Sequence, residues 1–443
     1  MIILLRFFSN LKIDKIVEKK AMKLYKKLLM TSALFLALTP NAYATTSSDD
    51  PEIFIKDGKF FGEVRYRYEH VEQDGFANDA DAHTVRTNLG FKTGIYRDFQ
   101  ALIEAQIVQS FGDEDFNSTT NSNTAFPIVA DPDVTEINEL WLSWSGLPQT
   151  TIKAGRQKIN IDNQRFVGTV GWRQNDQTFD AVQITNSSIE NLNLLYSYVG
   201  NVNRIQGDDN ALGDLDSDVH LANASYQFAD WLKLTGYGYW LDFDEVPGLS
   251  SMTYGLRATG SVPINDDWTF FYEAEGAIQE DNGNNTANYD EEYYHIAPGI
   301  KGHGFTLKAG YEELGGDGTN AFQTPLATLH KFNGWADAFL NTPDVGLEDI
   351  YVSASYKVSG TDSFFDGTKF TAVYHDFDSH DGGTGDLGDE IDLSIGRSFT
   401  LPDAGQPFKK VNVLLKYADY DGETATGVDA SREKVWLQFS IKF

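Results

Sequence analysis

The 443 residues carry 65 Asp+Glu against 35 Lys+Arg, a formal net charge of -30, and no Cys. Without Cys, disulfides and thiolate metal sites are excluded, and so acidic a chain is a poor partner for nucleic acid. No apolar run beyond residue 50 reaches the ~20 residues of a membrane helix. A membrane β-barrel stays open, because only alternate strand residues meet lipid.

In chain order, Met22 to Lys27 supply a basic region, Leu28 to Leu38 an apolar one, and Ala42-Tyr43-Ala44 a small-residue cleavage pattern. Residues 22–44 therefore read as a secretory signal peptide, with 1–21 as an upstream extension. Residues 45–59 are expected to form an N-terminal periplasmic segment and 60–443 the barrel. Residues 1–44 carry a net +6, which leaves -36 on the remainder.

From Phe60 onward the chain divides into about eighteen segments of roughly ten residues, each alternating with period two and bounded by Gly, Asp and Asn clusters. Half of them lie near 60–70, 83–96, 98–109, 134–145, 150–158, 177–186, 190–199, 218–228 and 231–242. The others lie near 252–261, 267–279, 290–300, 303–313, 347–358, 367–376, 389–399, 409–419 and 432–443. Connections are expected to alternate strictly between short turns, such as Arg97-Asp98 and Lys301-Gly302, and long loops, such as 71–82, 110–133, 159–176 and 314–346. The fold class that follows is all-β: a transmembrane up-and-down antiparallel β-barrel of about 18 strands, with short periplasmic turns and long extracellular loops.

Side-chain faces agree. Leu89, Phe91, Thr93 and Ile95 oppose Arg86, Asn88, Gly90 and Lys92. At the end of the chain Val435, Leu437, Phe439, Ile441 and Phe443 share one face, leaving Trp436, Gln438, Ser440 and Lys442 for the lumen. A terminal aromatic on such a strand resembles the closing strand of bacterial outer-membrane barrels. Closure requires that strand to pair with the first, since an open edge in hydrocarbon leaves backbone groups unsatisfied. Tyr96, Phe99, Tyr196, Tyr198, Trp231, Trp240 and Trp268 suit interfacial girdles, or simply the frequency of aromatics in strands.

A barrel this wide has room for an aqueous lumen, so transport is the default function and selectivity rests on lumen charge and infolded loops. Arg65, Arg67, Arg86, Lys92, Lys153, Lys233, Arg257, Lys308, Lys357, Lys416 and Lys434 fall on the inward face. Glu63, Glu69, Glu104, Glu139, Glu273, Glu275 and Glu312 share it, so Arg–Glu pairing that stiffens the wall is an equal reading. Residues 155–180 differ from the other long connections in being basic and amide-rich. Arg156, Arg165 and Arg173, with Gln157, Gln164 and Gln174, offer forked donors to carboxylates and sugar hydroxyls, and Phe166 and Trp172 offer faces to a pyranose.

This stretch, with Gly155-Arg-Gln157, Gln164-Arg-Phe-Val-Gly168, Trp172-Arg-Gln-Asn175 and Thr178-Phe-Asp180, resembles the hallmark segment of the alginate-export family of outer-membrane porins. Leu329-His-Lys-Phe-Asn-Gly-Trp-Ala-Asp-Ala-Phe339 through Tyr351, and His375-Asp-Phe377 leading to Gly388-Asp-Glu-Ile-Asp392, are similar to later blocks of that family. The resemblance spans nearly all of 60–443. It implies a monomeric channel in the outer membrane of a Gram-negative bacterium, inserted by the barrel-assembly machinery among lipid and lipopolysaccharide. It also implies passive passage of an acidic oligo- or polysaccharide, an alginate-type polyuronate. Arg156, Arg165, Arg173, Gln164, Gln174 and Trp172, with Arg65, Arg67 and Arg86, are then the substrate-binding candidates.

A general or other-solute porin is the alternative. A structural barrel and an outer-membrane enzyme are alternatives of other classes, but none of the eight His sits in a nucleophile–base pattern. Acidic runs such as Asp113-Glu-Asp115 match no dedicated calcium loop, and no cofactor or metal is implied.

Overall fold

The computed structural model describes residues 50–380, 385–401, 410–423 and 430–443. The signal peptide and upstream extension read at 1–44 lie outside the described residues. A single turn of helix, α1 (Ile53–Lys56), leads into β1 (Lys59–Gln73), β2 (Ala80–Lys92), β3 (Phe99–Ser110), β4 (Val134–Leu147), β5 (Thr150–Gln157) and β6 (Thr178–Asn186). Then come β7 (Leu192–Asn203), β8 (Asp214–Ala229), β9 (Leu232–Leu241), β10 (Ser251–Pro263), β11 (Trp268–Asp281) and β12 (Asp290–Gly302). The last six are β13 (Phe305–Leu314), β14 (Leu347–Lys357), β15 (Lys369–Asp378), β16 (Asp386–Thr400), β17 (Lys410–Asp421) and β18 (Arg432–Lys442).

Each strand pairs antiparallel with its neighbours in sequence, and β18 returns to β1 with Val64 opposite Ile441, Tyr66 opposite Phe439 and Tyr68 opposite Leu437. The 18-stranded sheet is closed, as the terminal alternation requires. Among the described residues no helix is long and apolar enough to cross a membrane.

The polarity is inverted relative to a water-soluble domain. Leu89, Ile296 and Ile350 are 50%, 55% and 54% exposed on the outward face, while Arg67, Glu69 and Trp436 are fully buried on the inward one. An apolar band of this kind, with charge inside, is stable only against hydrocarbon.

Two expectations about connections need correction. The first long loop, read at 71–82, shrinks to 74–79, because β1 and β2 continue until Val71, Ala80 and Ala82 pack under Phe116 and Val129 of the following loop. The strict alternation of lengths also fails, since the turn-side connection 358–368 is longer than the loop-side connection 379–385. Its Phe364 leans on the wall, where Arg397 donates to the Phe364 carbonyl and covers the ring.

Candidate functional site

Two of the long connections fold into the barrel and interlock. The loop 158–177 runs parallel to part of the loop 315–346, with Val167 bridged to Leu326. The Gly168 N–H donates to the Leu326 carbonyl at 2.8 Å and the Thr328 N–H to the Gln164 carbonyl at 3.1 Å. The Gln177 amide donates to the carbonyls of both Gly168 and Leu326. Gly168 permits the approach, as a Cβ there would collide with the Thr328 hydroxyl. Val170 is held at φ 49°, a conformation that is strained for a β-branched residue by about 1–3 kcal/mol. Its N–H donates to Thr328 Oγ1 and its carbonyl accepts from Arg173, and these bonds hold the turn.

Apolar packing fills in behind the hydrogen bonds. Phe166 lies among Tyr237, Tyr239, Tyr293 and Phe322, in a cluster that also buries Ile159, Val167, Leu326 and Phe339. The loop pair and the strand walls thus share one core.

The arginines singled out from the sequence are built into this assembly. Arg165, 2% exposed, meets Glu312 at 2.8 Å and also donates to Thr324 and Asn333 of the later loop. Arg173 binds Glu69 of β1 at 3.0 Å and Asp337 of the later loop at 3.1 Å. Burial alone would lower the Arg173 pKa, but Glu69, Asp131 and Asp337 outweigh it and hold the guanidinium charged. Arg156, a quarter exposed, pairs with Asp180 at 2.8 Å.

Arg65 makes no ion pair among the described residues; it donates to the Gln174 side-chain oxygen and to the carbonyls of Gly171 and Arg173. Arg67 donates to Gln438 and the Trp172 carbonyl, 3.6 Å from Asp131 and with its guanidinium 4.1 Å from the Trp172 ring centroid. Arg86 joins Glu63 to Asp176. Burial would raise Asp176, yet Arg86 and Lys158 keep its carboxylate below the ordinary range. Gln174 is buried and bonded to β1 and β2, whereas Gln164 is half-buried at a turn of φ 71°.

Trp172 does not stand open to a sugar. Its ring stacks on His330 at 4.3 Å with 6° between planes, and the Lys416 ammonium lies 4.3 Å from its centroid. Lys416 also sits 3.6 Å over Trp335 and donates to His330 Nε2, while His330 Nδ1 faces Asp337 at 2.7 Å. Asp337 also accepts from Lys434 at 3.0 Å. At the next turn Gly334, at φ 83°, lets the Trp335 and Ala336 N–H groups converge on the Glu390 carboxylate.

A second group of cations is disposed differently. Lys92, Lys153, Lys233, Lys308 and Lys357 lie on inward positions at the short-turn ends of their strands. None of these lysines makes an ion pair among the described residues. Trp141 lies beside Lys153 at 5.1 Å and Lys92 at 5.9 Å, and Tyr351 beside Lys308 at 4.9 Å. The opposite end of the barrel is acidic, with Asp113, Asp115, Asp208, Asp209, Asp317 and Asp344 exposed on the long loops.

Residues 58–194, which include the basic segment 155–180, match the family model described as alginate export. The resemblance to the alginate-export family is borne out over these residues. The later blocks at 329–351 and 375–392 lie beyond the match. No curated protein matches the chain. Among solved structures, the outer membrane protein OpdK from Pseudomonas aeruginosa is similar at a TM-score of 0.68 and 16% identity, over 88% of this chain and 99% of that one. OccAB2 from Acinetobacter baumannii gives 0.69 and 18%, and OpdQ from Pseudomonas aeruginosa 0.68 and 18%, both with the same coverage. At such identities the likeness carries the fold alone: a closed antiparallel barrel like those of these outer-membrane proteins, matched along nearly their whole length.

Proposed function

We propose that the chain is a passive channel in the outer membrane of a Gram-negative bacterium, inserted by the barrel-assembly machinery, and that it conducts an anionic oligo- or polysaccharide of the alginate type. The observation that carries this reading is the set of inward lysines at the short-turn end, Lys92, Lys153, Lys233, Lys308 and Lys357, which make no ion pair among the described residues. Their ammonium groups, exposed at Lys92 and Lys357 and half-buried at Lys153, Lys233 and Lys308, attract uronate carboxylates without being locked to a protein carboxylate, so a solute can be passed from one to the next, as conduction through serial sites requires. Trp141, between Lys92 and Lys153, supplies an aromatic face for a pyranose ring.

In the same reading the interlocked loops set the narrowest section. Arg156, Arg165, Arg173, Gln164, Gln174, Trp172, Arg65, Arg67 and Arg86 act there mainly by holding the constriction in shape. The carboxylates against Arg156, Arg165, Arg173 and Arg86 temper the field that a solute meets. The match to the alginate-export model at 58–194 supports the choice of a polyuronate.

The test is single-channel recording in planar bilayers with a polyuronate oligomer titrated from either side and a neutral oligosaccharide as control. Block by the uronate alone is expected. Equal block by both solutes, or by neither, would sink the assignment. A second reading, a small organic carboxylate as solute, is favoured by the likeness to OpdK solved with vanillate, at a TM-score of 0.66 and 15% identity. It predicts block by monomeric carboxylates in the same experiment.

A further inference from the structure

On the outward face at the long-loop end, three metal-binding side chains from three elements converge. Glu313 lies near the end of β13, Glu348 stands directly across from it near the start of β14, and His380 follows β15. Glu312 turns inward to Arg165, so alternation sends Glu313 outward. His380 Nδ1 is 3.4 Å from Glu313 Oε1 and 3.6 Å from Glu348 Oε1, and the donor atoms of all three lie within 4.8 Å of one another. His380 Nδ1 is shut off from solvent yet makes no hydrogen bond. Neither glutamate pairs with Lys or Arg among the described residues. Two adjacent carboxylates and an imidazole nitrogen without a hydrogen bond form a donor set of the kind that coordinates a cation.

A groove of about 470 Å³ lies on the same outward face. Leu256, Ala258, Ala274 and Ile296 line it, with Tyr294 and Tyr311 along its side. The Tyr311 hydroxyl donates to Glu313 and that of Tyr294 to Glu292. One side chain, Tyr311, thus belongs to the groove and touches the donor cluster.

We propose that Glu313, Glu348 and His380 bind a divalent cation of the Zn²⁺ class, and that its remaining position takes a phosphate of an outer-leaflet lipopolysaccharide whose acyl chain lies in the groove. One imidazole with two carboxylates suits Zn²⁺, whereas Ca²⁺ and Mg²⁺ favour oxygen-only cages. Three protein donors leave the fourth tetrahedral position open. The small side chains of Ala258 and Ala274 make the wall concave where the neighbouring Leu256 and Ile296 project, a shape that accepts an alkyl chain. The cation joins an acidic rim to an anionic headgroup that would otherwise repel it. The inference is independent of the transported solute.

The first arm titrates the refolded full chain in detergent with Zn²⁺ alone and counts retained metal after dialysis. Retention of roughly one Zn²⁺ per chain is expected. His380→Gln and Glu313→Gln/Glu348→Gln are each expected to weaken it about tenfold or more. Heat-modified gel mobility verifies that each variant remains a folded barrel, and His380→Gln serves alone if the double variant does not fold. No retention by the parent chain, or equal retention by His380→Gln, overturns the metal site. The second arm incubates the Zn²⁺-loaded chain with lipid A vesicles, phosphatidylcholine vesicles or inorganic phosphate. Zn²⁺-dependent capture of lipid A alone is expected, with loss in His380→Gln. Inorganic phosphate competing at matched concentration, or capture that ignores Zn²⁺, overturns the lipid assignment.

Discussion

His330 lies between Lys416, 2.7 Å from Nε2, and Asp337, 2.7 Å from Nδ1, and the Asp337 contact fixes the state of the ring. A carboxylate only accepts, so the proton of the neutral imidazole sits on Nδ1, which donates to Asp337, and Nε2 accepts from Lys416. Burial holds the His330 pKa well below the ordinary histidine range; Asp337 opposes it, while Lys416 and Arg173 reinforce it. As pH falls through about 6.5 the unfolded chain takes up a proton that the folded site refuses. The stabilisation is therefore complete above that pH and declines below it. Asp337 is depressed in the folded state, so its own contribution persists above about pH 3.8 and fades only in stronger acid. We predict that the urea midpoint of the barrel drops between about pH 7 and 5, and that His330→Asn, which can still accept from Lys416 and donate to Asp337, flattens this slope. Parallel slopes for the two proteins would exclude His330 as the group responsible.

Arg165 makes the most demanding junction between the loops and the wall. Its removal leaves Glu312 buried with Tyr293 and Asn333 as its remaining hydrogen-bond donors among the described residues. Arg165→Ala should destabilise the barrel by about 3–5 kcal/mol, whereas Arg165→Met/Glu312→Gln, which removes both charges, should lose much less. Equilibrium unfolding of Arg165→Met, Glu312→Gln and the double variant completes the cycle, and additive losses would show that the pair is not coupled.

Why the sequence disclosed the wall but only half of the constriction follows from where the information lies. Period-two alternation is local, so Leu89 against Asn88, or Phe439 against Gln438, declares its face within a few residues. Basic composition likewise marked 155–180 as unlike an outer loop. Nothing local ties that segment to 315–346, because Arg165 finds Glu312 across 147 positions and Asn333 across 168. The signal that was available is hydrophobic. Phe322, Leu326, Ala336 and Phe339 are costly in a water-exposed loop, and all four are buried. Position on the inward face also does not reveal whether a cation is paired. Arg86 and Lys153 are equivalent in the alternation, yet Arg86 is clamped by two carboxylates and Lys153 by none.

That last contrast yields a prediction about selectivity. Replacing Lys92, Lys153 and Lys308 together by Gln removes three charges that make no ion pair among the described residues, so no buried carboxylate is uncovered and folding should be nearly unaffected. The reversal potential in a salt gradient should move toward cation preference, most clearly at low ionic strength where screening is weakest. An unchanged reversal potential would remove these lysines from the conduction path.

The interlock itself can be tested for motion, since the chain has no native Cys and an engineered pair is unambiguous. Val167 and Leu326 are bridged neighbours on the two loops, both buried at 1% exposure. If the loops act as a fixed frame, a disulfide between Val167→Cys and Leu326→Cys should form on mild oxidation and leave the single-channel conductance as it is in the reduced state. A gate that opened by parting the loops would have to break the Gly168–Leu326 and Gln164–Thr328 backbone bonds and expose Phe166 and Phe322. That rearrangement uncovers large apolar surface at about 25 cal/mol per Å², which favours the fixed frame. Conductance that falls on oxidation and returns on reduction would establish the gate instead, and would move the selectivity determinants from the lysines of the wall to the loops.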